Sequence, residues 1–201
     1  MQKVFDGVEV VPLIGKDLTK AKLYQTVKEI SQKAHLEDTV LFYISTHGRS
    51  IEEKLYLVPY NNKNSEDWLN FKETFKAIQS IKALNQIFVI DACESGTAND
   101  IVSAVYDSKA SVLAKSSGVH MLLATTRGTN AFESDDPNVK NGVFTHRILE
   151  ALRSRGTDLN QDNFISIKEV STELRKPQSN SEFQYPVIRN VGSDVRLERV
   201  E

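Results

Sequence analysis

Two kinds of hydrophobic spacing alternate along this chain. Ala21, Tyr24, Val27, Ile30 and Ala34 recur at helical intervals after a polar start at Asp17 or Thr19, and predict an amphipathic helix. Residues 40–44, Val-Leu-Phe-Tyr-Ile, form an unbroken apolar run that reads as a strand and stops at the polar Ser45-Thr46-His47-Gly48. Phe71, Phe75, Ile78 and Ile81 then return to helical spacing behind Asn70, a good N-cap with Glu73 three residues on. Residues 88–92 repeat the strand pattern and end in Cys93-Glu94-Ser95-Gly96. Residues 8–14 and 119–124 read as further strands and 55–58 as a short extended piece, while Pro59, Asn61, Asn62 and Asn64 mark a loop. Val102, Val105, Tyr106, Val112 and Leu113 predict another helix, as do Phe144, Ile148 and Leu152. Strands alternating with helices predict an α/β fold with a doubly wound, mostly parallel sheet between two helical layers.

A chain of 201 residues suits one domain, spanning 1–201, and can bury most of its apolar surface unaided. Its net charge of −2 comes from 25 basic and 27 acidic residues scattered along the chain, which offers no footprint for nucleic acid or a membrane surface. There is no signal peptide and no apolar run near the ~18 residues of a membrane helix, so the expected location is cytoplasmic. Zinc-type spacing, a phosphate loop and a dinucleotide glycine fingerprint are all missing, which removes most cofactor chemistries.

The one cysteine, Cys93, and His47 both stand where an apolar run gives way to a glycine-bearing turn. Open α/β sheets build their sites beyond the carboxyl ends of their strands, and one helical crossover fits between the two runs, so the strands can be parallel neighbours. A lone cysteine is commonly a small buried hydrophobe and a lone histidine a polar cap. Paired, they supply a nucleophile and its base: a thiol ionises little near neutral pH, and an imidazole can take its proton and later protonate a leaving amine. His35 at a helix end, His120 in a strand and His146 in a helix read as structural.

A cysteine with a histidine roughly 50 residues upstream is the spacing known for caspases. The chain resembles the caspase-like cysteine peptidases, and more closely their metacaspase and bacterial orthocaspase branch. Phe42 to Gly48, Ile90 to Gly96, Leu123-Ala124-Thr125-Thr126 with Ala131 and Glu133, and Gly142-Val143-Phe144-Thr145 carry the likeness. Thr46 departs from it, standing where the branch usually has glycine. The strand and helix that open the resembled domain are also missing, although that first strand lies inside the sheet. Three readings of this gap are open: the chain is the remainder of a longer polypeptide, Met1 is not the natural start, or residues 8–14 take a different neighbour.

The resemblance implies an endopeptidase with Cys93 and His47 as catalytic dyad and the amides of Gly48 and Cys93 as oxyanion donors. It also implies protein or peptide substrates with Arg or Lys before the scissile bond. Asp91, on the same side of its strand as Cys93, and Ser45 match pocket positions of the branch. Asp91 is alternatively a turn cap. Glu133, Asp135 and Asp136 either extend a negative subsite or form a solvated loop. Maturation by self-cleavage within 97–117, at Lys109 or Lys115, follows from the same likeness.

Asp158, Asn160, Asp162 and Glu169 fit positions 1, 3, 5 and 12 of a calcium-binding loop, with Asn163 in the glycine position. Side-chain-to-backbone turns use the same residues without metal, so the reading taken is no required cofactor, with calcium the one candidate. Two rival functions remain open, a catalytically silent caspase-like interaction module and a calcium-responsive binding domain.

Overall fold

The computed structural model describes residues 4–59, 64–98, 118–126, 130–131, 141–177 and 185–200. Its helices and strands follow in the order α1 (Lys20–Lys33), β1 (Thr39–Ser45), β2 (His47–Ile51), β3 (Lys54–Val58), β4 (Leu69–Asn70), α2 (Phe71–Gln79), β5 (Asn85–Asp91), β6 (Gly118–Leu123), α3 (Val143–Arg153), β7 (Phe164–Ser166), α4 (Ile167–Leu174), β8 (Val187–Gly192) and β9 (Arg196–Arg199). Polar side chains start α1 and α2 as their sequences predict. The Lys22 amide donates to Thr19 Oγ1 at 3.2 Å, and the Glu73 amide to Asn70 Oδ1 at 3.2 Å.

The main sheet has the order β1-β5-β6-β8, with β1, β5 and β6 parallel and β8 antiparallel to β6. Side-chain alternation divides its apolar residues between two cores. Phe88 and Ile90 of β5, with Met121 and Leu123 of β6, pack against Leu23 and Val27 of α1 and against Phe71, Phe75 and Ile78 of α2. Ile87 and Val89, with Leu122 and Ala124, pack on the other face against Phe144 and Ala151 of α3 and Val170 and Leu174 of α4. The result is the expected α/β/α arrangement with a mixed, mostly parallel sheet. Both central strands are buried on both faces, so their sequences read as continuous apolar runs. Phe75 and Phe88 lock the first core with ring centroids 4.6 Å apart, a pairing worth about 1 kcal/mol beyond area burial.

Two elements differ from the sequence expectation. Residues 8–14 join no sheet. Pro12 lacks an amide hydrogen, Val8, Val10 and Ile14 are exposed, and the segment is tied to α1 by a 2.9 Å ion pair between Glu9 and Lys33. The crossover from β1 to β5 carries more than a helix: β2, β3 and β4 form a separate three-stranded antiparallel sheet ahead of α2. The helix expected near 102–113 lies outside the described residues.

Candidate active site

The parallel register of β1 and β5 sets Ser45 beside Asp91, so the turns leaving both strands start at one level of the sheet edge. The Thr46 amide donates to the Asp91 carbonyl at 3.2 Å, continuing the ladder one residue past the strand. The Thr46 hydroxyl donates to the Val58 carbonyl at 2.5 Å, and the chain enters β2 with His47 paired to Val58 and Gly48 to Leu57. The polar turn expected after β1 is therefore the first residue pair of a hairpin.

Gly48 is pressed against the Cys93 turn. A Cβ built on it would stand 1.9 Å from the Cys93 carbonyl oxygen and 3.3 Å from the Ala92 Cβ. Only a residue without a side chain admits this approach. The peptide that follows His47 thus lies directly against the peptide of Cys93. His47 is exposed, Cys93 is partly exposed, and the thiol is free.

Two contacts that the sequence reading does not anticipate hold this arrangement. Glu94 has φ +55°, and its Oε2 accepts the Ser50 amide at 2.9 Å, tying the residue after Cys93 to the strand that begins with His47. Ser95 is fully buried, and its Oγ accepts the Thr125 amide at 3.1 Å, anchoring the turn to the end of β6.

Asp91 is 5 % exposed and faces the start of α3. Its Oδ2 accepts the Thr145 hydroxyl at 2.5 Å and the Thr145 amide at 3.3 Å, and Gly142 leaves room for it, since a Cβ there would come within 2.7 Å. Helix α3 has no capping side chain of its own at Gly142, so Asp91 supplies the anion that its N-terminus attracts. Asp91 thus bonds the start of α3, whereas the turn-cap alternative has it bonding the turn at Cys93. Ser45 is exposed on the same sheet face. Glu133, Asp135 and Asp136, and the cleavage positions Lys109 and Lys115, lie outside the described residues.

The other histidines occupy structural settings. His120 is fully buried, with Nδ1 3.1 Å from the Asn190 side-chain amide and Nε2 3.0 Å from the Ser193 carbonyl. Burial pushes its pKa down, against the opposing pull of these two partners. His146 pairs with Glu150 one turn along α3 at 3.4 Å, and His35 is exposed beyond the end of α1. A groove between α3 and α4 is lined by His146, Arg147, Glu150 and Glu173 and contains none of the residues of the two turns. There the Arg147 guanidinium donates to the carbonyls of Leu174 and Lys176 and so closes the end of α4.

In the 158–169 loop the carboxylates bond to the protein itself. Asp158 accepts the amides of Asp162 and Asn163, and Asp162 accepts the Phe164 amide through Oδ1 and the Arg196 guanidinium through Oδ2. Glu169, buried, accepts the amides of Leu159, Asn160 and Ser166, the last within a capping box at the start of α4. Gln161 and Asn163 both have positive φ, at 58° and 65°. Among the described residues no group of three or more His, Cys, Asp or Glu side chains is arranged to hold a metal ion, and no helix is long and apolar enough to cross a membrane.

The family model for the caspase domain matches residues 1–194. No curated protein matches the chain.

Proposed function

The chain belongs to the caspase-domain family, a family of cysteine-type peptidases, and on that premise we propose that it is an endopeptidase using Cys93 and His47 to cleave after Arg or Lys. The observation that carries the reading is the packing of Gly48 on the Cys93 carbonyl, which fixes the His47 turn against the nucleophile turn. Cys93 attacks the scissile carbonyl, and His47 takes the thiol proton and returns it to the leaving amine. The amides of Gly48 and Cys93 serve the oxyanion, and water then hydrolyses the thioester. A buried carboxylate at Asp91, two residues before the nucleophile, supports a basic residue on the acyl side and with it the metacaspase and orthocaspase branch. A reactive free thiol suits a reducing compartment, and we assign the protein to the cytoplasm.

Fluorogenic peptides that vary only the residue before the scissile bond test the proposal on wild type, Cys93→Ala and His47→Ala. Hydrolysis should favour Arg and Lys and fall by about 1,000-fold or more in either variant, because dyad members act as a unit. Both variants should keep the wild-type melting temperature to within a few degrees. Turnover by Cys93→Ala at the wild-type rate sinks the cysteine mechanism, and preference for Asp before the scissile bond sinks the specificity.

A further inference from the structure

Tyr43, Asp91 and Thr145 come from β1, β5 and α3 and meet in one hydrogen-bonded chain. Thr145 Oγ1 lies 2.5 Å from Asp91 Oδ2 and 3.0 Å from the Tyr43 hydroxyl. An ionised carboxylate only accepts, so the Thr145 proton points to Asp91 and the Tyr43 hydroxyl is the donor in the second link. The chain therefore has one direction, from the phenol through the threonine to the carboxylate.

An anion that is 5 % exposed persists only if protein donors replace its lost water. Thr145 offers two, its amide and its hydroxyl, at the first turn of a helix whose dipole favours negative charge there. Hydrogen bonds to the charged form of a carboxylate hold it charged. A neutral carboxyl in the same place could not separate a guanidinium from an uncharged side chain of the same shape.

We propose that Thr145 is a positioning residue for substrate specificity: it orients Asp91 and keeps it ionised for the cationic side chain, with the Tyr43 hydroxyl fixing the Thr145 rotor. The inference rests on the reading of Asp91 as the floor of the substrate pocket. It assigns to the start of α3 a part in choosing the substrate, although neither Thr145 nor Tyr43 belongs to the dyad.

The test compares peptides with arginine or with citrulline, its uncharged isostere, before the scissile bond. Thr145→Val keeps the shape and removes the hydroxyl, and should lower the arginine-to-citrulline ratio of kcat/KM about tenfold, the weight of one hydrogen bond to a charged group. The loss should fall mainly on KM for the arginine peptide, with citrulline turnover and the rate of Cys93 alkylation unchanged. Thr145→Ser should restore the ratio, and Tyr43→Phe should lower it about threefold, in keeping with a neutral hydrogen bond one link removed. A wild-type ratio in Thr145→Val overturns the inference. Should that variant fail to fold, a wild-type ratio in Tyr43→Phe overturns it instead. Asp91→Asn separates the two levels of the argument. If it abolishes discrimination while Thr145→Val keeps it, only the role of Thr145 falls; if Asp91→Asn itself discriminates as wild type does, the pocket-floor reading falls as well.

Discussion

Gly48 is the residue that sets the His47 turn against the Cys93 turn, since a methyl group there meets a backbone oxygen at 1.9 Å, where no side-chain rotation relieves the clash. Gly48→Ala should therefore separate β2 from the Cys93 turn. Overpacking of this kind costs about 3 kcal/mol, and in a chain of 201 residues that lowers the melting temperature by about 6–12 °C. Calorimetry measures the shift, and peptide turnover should drop further than the lost stability explains because His47 and Cys93 move apart. An alanine variant with wild-type melting and wild-type rate would mean that the contact does not set the site. Glu94 makes a related point at lower stakes. Its φ of +55° is uncommon for a residue with a side chain, and its bond to the Ser50 amide offsets the strain while linking the two turns a second time.

At the scale of elements, what could be read from the chain and what could not divide along the line between local and distant causes. Helices α1 and α2 were legible because stripe and cap lie within a few residues of each other, Thr19 with Lys22 and Asn70 with Glu73. The β2–β3 hairpin was not legible: its turn uses Glu52 and Glu53, both at positive φ (49° and 62°), where the recognisable signal is Asn-Gly. The start of α3 was legible from the resemblance at Gly142 to Thr145 and from its stripe, but not from a local cap, since Asp91 comes from 54 residues away in sequence. Asp91 and Cys93 were legible at the end of an apolar strand, whereas His47 and Gly48, read as the end of β1, open β2, and Thr145, Tyr43 and Glu94 make contacts no local pattern encodes. The 158–169 loop shows the same division, because a calcium-type ligand pattern and a self-bonded turn share one sequence. The six carboxylate oxygens of Asp158, Asp162 and Glu169 all accept hydrogen bonds or an ion pair, and Arg196 brings positive charge to the loop. Neither calcium nor a chelator should then move the calorimetric melting temperature by more than about 1 °C, at most about half a kcal/mol at the 2–4 °C per kcal/mol expected at this size. Glu169→Ala, by contrast, strips the acceptor from three amides and should cost about 2–4 kcal/mol. A clear rise in melting temperature on adding calcium would return the loop to cation binding.

For the whole molecule, the sheet separates two tasks. The carboxyl ends of β1 and β5 carry the candidate site, while the interior of β6 carries His120, which pins β8 and the turn after it to the rest of the sheet through Asn190 and Ser193. Burial pushes its pKa below the ordinary 6.5 and so favours the neutral ring; a neutral imidazole carries one N–H, which it donates either to Asn190 Oδ1 or to the Ser193 carbonyl, both of them acceptors. Asp194 works against the depression and Lys168 adds to it, so the direction comes from desolvation. The consequence for stability has a definite sign. As pH falls through about 6.5 the unfolded chain binds a proton at this histidine while the folded chain does not, so stability present above that pH is lost below it, until the depressed folded pKa is reached. One proton corresponds to a slope of at most about 1.4 kcal/mol per pH unit. Guanidinium unfolding between pH 7.5 and 5 should show this loss in wild type, and His120→Gln, which cannot titrate, should show a flatter curve. The other titrating groups are common to both proteins and cancel in the difference. Parallel curves would mean that protonation at His120 costs the folded sheet nothing, and that its burial is not what holds the ring neutral.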